Sequence, residues 1–440
     1  MLRNKQNIFY LSLIILIIVI FLLNHNHTIQ SATYNDVFKP IAENLISGNG
    51  YTCAFFENQP AFYPLWGYTF IASIDVLLNA GNYFVLAIQA ILCLIGIFYF
   101  YKLFKVKPKF YHLFFFIPYI AVFSVLWPDC IVLFLFIIFI YGLVKYFEKG
   151  STKYLIISGI SFGVLSNFRS EYLYFLPFMI LLYFTRTDKK KISKTFLAVL
   201  FALIVFLLPW GVRSYLIDDN FRFSATNGGS VAYISLGQLP DNPWNIAPSD
   251  QSAFDFAYSK GEINPYTPNS DKLLKAQFYV SVKEHPLPFV KKCFFNSINS
   301  VIGGVYTGEY ANFFIGLEKR LNIDSTITKT PGILNKINFV KTLDTSISFF
   351  LFSEKAIRSI FIVVYLILQV LFLWFLIYNK NKDYHFILLI IALFYLNKVL
   401  SVGLLQYEYR HLNIVYIFLF GTYLLSIPIL KEKLQFFRKK

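Results

Sequence analysis

Ile8-Phe-Tyr-Leu-Ser-Leu-Ile-Ile-Leu-Ile-Ile-Val-Ile-Phe-Leu-Leu23 decides the fold class. The run carries no charge and gives way to a polar stretch that begins at Asn24. Apolar runs of about 17 to 25 residues recur along the chain between short charged clusters. A bilayer core about 30 Å thick demands this pattern of helices, because lipid offers backbone N–H and C=O groups no partner. A membrane barrel would instead alternate over segments of about ten residues, and no such alternation is present. With 57% hydrophobic, 20% aromatic and only 15% charged residues, the chain of 440 residues is too apolar for a soluble globule. An all-α polytopic membrane protein is expected.

The formal net charge of +16 raises nucleic acid as a partner, but the basic residues punctuate the apolar runs and form no single face. Lys5, Lys102 to Lys109, Lys145 to Lys153, Arg186 to Lys194, Lys380 with Lys382, and the tail Lys431 to Lys440 each open or close a run. This is the positive-inside pattern of membrane proteins, and no nucleic-acid partner is expected. With these clusters on the cytoplasmic side, outward spans fall near 8–23, 110–127, 154–168, 194–212 and 384–404. Inward spans fall near 83–101, 128–147, 170–185, 356–378 and 412–430. The count is about ten transmembrane helices, with both termini cytoplasmic. The first run lacks a small-residue cleavage site and is expected to stay as an anchor. Richness in Phe, Ile, Asn and Lys suggests an AT-rich prokaryotic genome, so the bacterial cytoplasmic (inner) membrane is the expected location.

Three regions follow. Residues 1–212 form an N-terminal bundle whose first outer loop, 24–82, contains interfacial helices. Residues 213–355 form a small extracytoplasmic cap domain, and 356–440 the C-terminal spans and basic tail. The stretch Ala61 to Leu78 is apolar enough to tempt a span, but a crossing there would place Lys102 to Lys109 outside. It is read as a helix lying in the outer interface, anchored by Tyr63, Trp66 and Tyr68, with a crossing as the alternative. In the cap domain, Asn227-Gly-Gly-Ser and Gly237-Gln-Leu-Pro-Asp-Asn-Pro-Trp-Asn read as loop. Ser270 to His285 reads as helix, with Ser270 or Asp271 as N-cap. Cys53 and Cys293 fall on the same expected side, and the spacing leaves their pairing open. No Cys/His metal spacing, glycine-rich phosphate loop or nucleophile elbow is present, so no metal or cofactor is expected.

Chemistry must then come from ionisable groups at the outer level. Topology places Asp36 and Glu57 in the first outer loop, Asp129 at one helix junction, Arg169 and Glu171 at the next, and Arg213 where the seventh span emerges. Glu408, Arg410 and His411 lie between the last two spans, and Lys398 lies inside the ninth. Charges at such depth are costly, and they pair with one another or with substrate. A structural network of Arg–carboxylate pairs is the plain alternative.

Several short motifs, in order and on matching sides, resemble one family. They are Tyr34-Asn-Asp36-Val-Phe-Lys-Pro, Gly48-Asn-Gly-Tyr-Thr, Pro60-Ala-Phe-Tyr-Pro-Leu-Trp-Gly-Tyr, Trp127-Pro-Asp, Ser166-Asn-Phe-Arg-Ser-Glu171, Leu208-Pro-Trp-Gly-Val-Arg-Ser-Tyr and Tyr407-Glu-Tyr-Arg-His. The chain is similar to the multi-span glycosyltransferases of the C fold class that use polyprenyl-phosphate sugars, among them the protein O-mannosyltransferases and aminoarabinose transferases. Two departures stand out. Tyr63-Pro64-Leu65 lacks the basic residue and second proline common in that family's first-loop turn, and Val37 stands where a second acid often follows the first.

The resemblance implies that a sugar leaves a polyprenyl-phosphate co-substrate for an acceptor hydroxyl at the outer face, with inversion. Asp36 would be the general base, because an alcohol attacks poorly until its proton is taken. Glu57, Asp129 and Glu171 would be helper acids. The departing phosphate needs cationic support, which points to Arg410, Arg213 and Arg169, with His411 and Lys398 beside them. Tyr34, Tyr63, Trp66, Tyr68 and Glu408 would line the sugar and acceptor pocket. Glycan, lipid and protein acceptors all stay open, as does the oligomeric state. The rival readings are a polysaccharide polymerase or ligase and a lipid-linked-sugar transporter (flippase).

Overall fold

The computed structural model describes residues 2–28, 33–185, 188–302, 345–378, 382–405 and 412–438. Its helices are α1 (Leu2–Thr28), α2 (Lys39–Ile46), α3 (Trp66–Leu77), α4 (Tyr83–Phe104), α5 (His112–Phe123), α6 (Asp129–Lys149), α7 (Thr152–Ser166) and α8 (Leu176–Thr185). There follow α9 (Lys189–Asp218), α10 (Gly228–Ser235), α11 (Asp250–Ser259), α12 (Pro268–Glu284), α13 (Pro286–Ile302), α14 (Thr345–Tyr378), α15 (Lys382–Leu404) and α16 (Asn413–Arg438). Among the described residues, strand pairing is limited to an isolated bridge between Thr52 and Pro60. The fold is all-α.

Among the described residues, six stretches are long and apolar enough to cross a bilayer: Tyr83–Phe104, Asp129–Lys149, Lys189–Asp218, Ser359–Tyr378, Tyr384–Leu404 and Asn413–Leu430. The chain thus has the helices of a membrane protein. Four shorter apolar helices, Gln6–Leu22, His112–Phe123, Thr152–Ser166 and Ser170–Leu181, lie where four further crossings are expected. The stretch 61–78 contains only α3, whose 12 residues reach about 18 Å, the same length as α5, so what sets it apart from a crossing is the charge pattern and not its length.

Small residues bring the central helices together. A Cβ on Gly159 would stand 3.0 Å from the Ala198 carbonyl oxygen, and one on Gly163 would stand 2.9 Å from that of Ala202. The Gly-x-x-x-Gly face of α7 therefore lets the α9 backbone approach closely, the packing that helices use where hydrophobic burial cannot separate lipid from protein. Gly142 does the same for α6 against Tyr154 and Ser158 of α7. An aromatic knot joins this layer to the last helices, with Phe136 of α6 against Phe394 of α15 at 4.2 Å and against Phe418 of α16 at 5.7 Å.

The two ends of the bundle differ in chemistry. At one end, Glu148 binds Lys105 at 2.9 Å and Lys145 at 2.7 Å, and Lys191 donates to the Phe147 carbonyl at 3.2 Å. The C-termini of α4 and α6 meet the N-terminus of α9 there. Cations at those C-termini also suit the helix dipoles. The opposite end holds Asp129, Arg169 and the segment 33–82.

Two sequence expectations need correction here. The stretch from Asn227 is helical, not loop: α10 begins at Gly228, and α10, α11 and α12 pack around Ile234, Ala253 and Leu274. Glycine stands at this helix start because a Cβ on Gly229 would collide with the Asp271 carbonyl oxygen. The N-cap of α12 is Thr267, not Ser270 or Asp271, and its hydroxyl accepts from the Ser270 N–H at 3.0 Å. Asp271 instead accepts from the Gly229 N–H at 2.6 Å and binds Lys275 at 2.6 Å.

Candidate active site

Asp36 occupies a single π-helical turn, Tyr34–Phe38, that leads directly into α2. Tyr34, Val37 and Phe38 point into the protein, while Asp36 is exposed. Among the described residues no cation pairs with it. Its neighbour Val37 belongs to a small apolar cluster with Ile41, Tyr51, Phe56, Leu65 and Trp210. Tyr51 fixes the turn below this cluster: its hydroxyl donates to the Pro64 carbonyl at 2.9 Å and lies 2.9 Å from the Thr69 hydroxyl.

Arg213, near the end of α9, is built into the same cluster. Its guanidinium lies 5.0 Å from the Tyr51 ring, 5.0 Å from the Trp210 ring and 5.4 Å from the Phe62 ring. One N–H reaches the Tyr51 carbonyl oxygen at 3.5 Å, and Nη1 is buried without a partner among the described residues. Among the described residues no carboxylate pairs with Arg213. Cation–π contact steadies such a group without cancelling its charge.

Arg169 and Lys398 are arranged differently. Arg169 binds Asp129, the first residue of α6, at 2.7 Å. Lys398 of α15 is 4% exposed and binds Glu171 at 2.7 Å, with its ammonium 4.3 Å from the Tyr172 ring. The sequence placed Asp129, Arg169 and Glu171 at one level, and the structure brings them together with Lys398. α3 links the two groups of charges: the Gly67 N–H donates to the Asn167 carbonyl at 3.3 Å, and Tyr68 meets Tyr34 edge to face at 5.9 Å.

The expected pocket residues divide. Tyr63 and Trp66 are half-buried at the margin of the Arg213 cluster, and Tyr63 stacks on Tyr266 at 4.8 Å. Tyr68 does not anchor the helix in headgroups, as the sequence suggested. It is 1% exposed, and its hydroxyl donates to Gln89 Oε1 at 2.7 Å inside the bundle. Tyr34 is fully buried, and its hydroxyl has no partner among the described residues. Burial pushes both phenols up, with Asp75 adding to each, so they stay protonated. Glu57 is exposed in a left-handed turn at φ 51°. Glu408, Arg410 and His411 lie outside the described residues. Cys53 and Cys293 are both free thiols.

Sequence reasoning passed over four polar groups. Asp75, 1% exposed, accepts from the N–H groups of Asn82 at 2.8 Å and Phe84 at 3.0 Å and so caps α4. Gln89 donates to the carbonyls of Phe123 and Val125 at 2.7 and 2.8 Å. Lys292 of α13 donates to the carbonyls of Gly403, Leu404 and Leu405 at 3.3, 2.9 and 2.5 Å, closing the C-terminus of α15; burial pulls its ammonium down to about 8. Arg222 pairs with Asp218 and lies 5.5 Å from the far-shared Phe62 ring. A charge inside an apolar run marks a polar site in principle, and among these four only Asp75, within the apolar stretch Ala61 to Leu78, carries that signal in the sequence.

Among the described residues no group of three or more His, Cys, Asp or Glu is placed to hold a metal ion. No protein-family model, curated protein or solved structure matches the chain.

Proposed function

We propose that this chain is an integral-membrane glycosyltransferase of about ten spans that moves a sugar from a polyprenyl-phosphate donor to an acceptor hydroxyl at the outer face of a bacterial cytoplasmic membrane. The observation that carries this reading is Arg213, a guanidinium with no carboxylate partner among the described residues, caged by aromatic rings on the same cluster as the turn that bears the exposed Asp36. In this reading the acceptor oxygen attacks the anomeric carbon, its proton passes to Asp36, and the bond from that carbon to the phosphate oxygen breaks. Attack opposite the leaving group inverts the centre. A phosphate departs as an anion, so no second carboxyl acid is needed to protonate it. Arg213 offers it fixed N–H donors where water is partly excluded, which strengthens their field.

The pairing alters the ranking of cations. Arg169 and Lys398 each already hold a carboxylate, so each has less to offer a phosphate than Arg213. Arg410 and His411, outside the described residues, are proposed as further phosphate contacts on the resemblance alone. The helices α10 to α12 serve as a cap over the site. Membranes supplied with radiolabelled polyprenyl-phosphate sugars test the reading, with Asp36→Asn expected to lose transfer and keep donor binding. Undiminished transfer by a well-expressed Asp36→Asn variant removes Asp36 as the base.

A second reading, movement of lipid-linked sugar across the membrane, draws on the buried Lys398–Glu171 pair, because ionisable groups inside a bundle mark transport paths as well as active sites. Reconstituted vesicles separate the two: translocation of the intact donor without cleavage supports transport. Release of polyprenyl monophosphate rather than pyrophosphate separates single-sugar transfer from a polymerase or ligase.

A further inference from the structure

A cleft of about 310 Å³ lies beside the Arg213 cluster, between residues 56–62, the end of α9 and residues 261–268. Its size is at the small end of ligand sites. Phe56 and Phe62 supply buried apolar surface, and the half-buried Ile263 adds an aliphatic side chain. Asp218 and Glu262 bring one carboxylate each from different segments. Both carboxylates are held in place. Asp218 pairs with Arg222, and Glu262 accepts from the Thr267 hydroxyl at 2.8 Å and from the Asn269 amide. An ionised carboxylate has about four lone-pair sites, so each keeps acceptor capacity for a further hydroxyl.

We propose that this cleft binds a neutral, hydroxyl-rich group, the sugar part of a glycan. Aromatic and aliphatic walls fit the C–H faces of a sugar ring, and oriented carboxylates accept its hydroxyls. A lipid chain there would strip water from Asp218 and Glu262 without replacing the lost hydrogen bonds, which is costly. An anionic headgroup would meet two carboxylates against the single guanidinium of Arg222. Phe62 is shared between the cleft and the cage of Arg213, so a sugar held here sits next to the phosphate position. On the transferase reading above, which this assignment of a role rests upon, the cleft is the acceptor subsite.

The test uses the full chain in lipid nanodiscs and saturation-transfer NMR with mannose, N-acetylglucosamine and maltotriose, with glucuronate and dodecyl phosphate as controls. At least one neutral sugar is expected to give signal. Gln59→Trp, from an exposed position, and Ile263→Trp, from a half-buried one, fill the cleft and are each expected to weaken binding about tenfold or more. Gln59→Trp keeps the test sound if Ile263→Trp fails to fold. No signal from any neutral sugar, equal signal from glucuronate, or binding unchanged in a folded Trp variant overturns the proposal. Sugar binding in the cleft of a protein that transfers from no donor leaves the site standing and removes the transferase reading. Transfer with an unchanged acceptor KM in Gln59→Trp removes the acceptor role.

Discussion

Arg169 and Arg213 are both arginines at the same end of the bundle, yet they are set in opposite ways. Arg169 faces Asp129 at 2.7 Å, and the neighbouring Lys398 faces Glu171 at 2.7 Å. Arg213 faces three aromatic rings, and no described carboxylate answers it. A buried pair satisfies itself: its Coulomb gain is spent against the desolvation of both partners, and little field is left for a ligand. A caged, unanswered guanidinium is unfavourable in the empty protein and becomes favourable when an anion arrives. The difference separates charges that fix the bundle from charges available to substrate.

The largest expected effect breaks the comparison at its catalytic side. Asp36→Asn keeps the shape of the turn and removes the proposed base, so on that proposal sugar transfer should fall by about 10² to 10⁴, measured with radiolabelled polyprenyl-phosphate donors. Donor affinity should stay the same, because the variant leaves the Arg213 cage intact. Loss of donor binding instead would show that Asp36 shapes the site and does not take the proton.

Arg213→Gln comes next. Removing one fixed donor to a developing anion costs about 10² to 10³ in turnover in comparable sites, and donor binding should weaken with it. Thermal stability should hold or rise, since an unanswered charge is lost. Arg169→Gln should do the reverse in stability, because Asp129 is then left without its partner. Equal destabilisation by the two variants would erase the distinction drawn between them.

Much of the bundle was legible because bilayer physics writes itself into sequence as long apolar runs bounded by lysines. The runs near 83–101 and 128–147 appear as α4 and α6 within a few residues, and Lys105, Lys145 and Lys191 gather at one end as the charge rule requires. The helical unit after Asn227 was not legible. Its glycines read as turn formers, whereas Gly229 is demanded by the close backbone of Asp271, a contact 42 residues away in sequence. The level of Asp129, Arg169 and Glu171 followed from topology. Their partners did not, since Glu171 and Lys398 are 227 residues apart and only packing of α15 chooses between them. The aromatic cage of Arg213 was hidden for the same reason, because Tyr51, Phe62 and Trp210 come from two distant segments.

The pair Lys398–Glu171 sharpens the structural side of the comparison. Lys398→Met leaves Glu171 facing an apolar chain and should lower stability by about 3 kcal/mol, the low end for a broken buried pair, as Glu171 keeps 27% of its side chain exposed. Lys398→Met with Glu171→Leu should recover most of that loss, because replacing both partners removes the uncompensated charge. Thermal unfolding in nanodiscs reads both. Failure of the double variant to recover, together with loss of translocation in vesicles, would move this pair from scaffold to transport path.

The smallest expected effect lies outside the bundle, where helix ends follow the rules of aqueous proteins and not those of lipid. Thr267 caps α12 with its hydroxyl on the Ser270 N–H at 3.0 Å, and Thr267→Ala leaves that donor without its acceptor. The loss is about 1 kcal/mol, so amides in the first turn of α12 should exchange with deuterium about fivefold faster. Thr267→Ser restores the hydroxyl and should restore protection. The Asp129–Arg169 end of the bundle should show no change, because a cap acts only over its own helix turn. Faster exchange that spread to the amides of α6 would mean that α10 to α12 brace the bundle itself, and the line between fixed charges and available ones would then run through the cap as well.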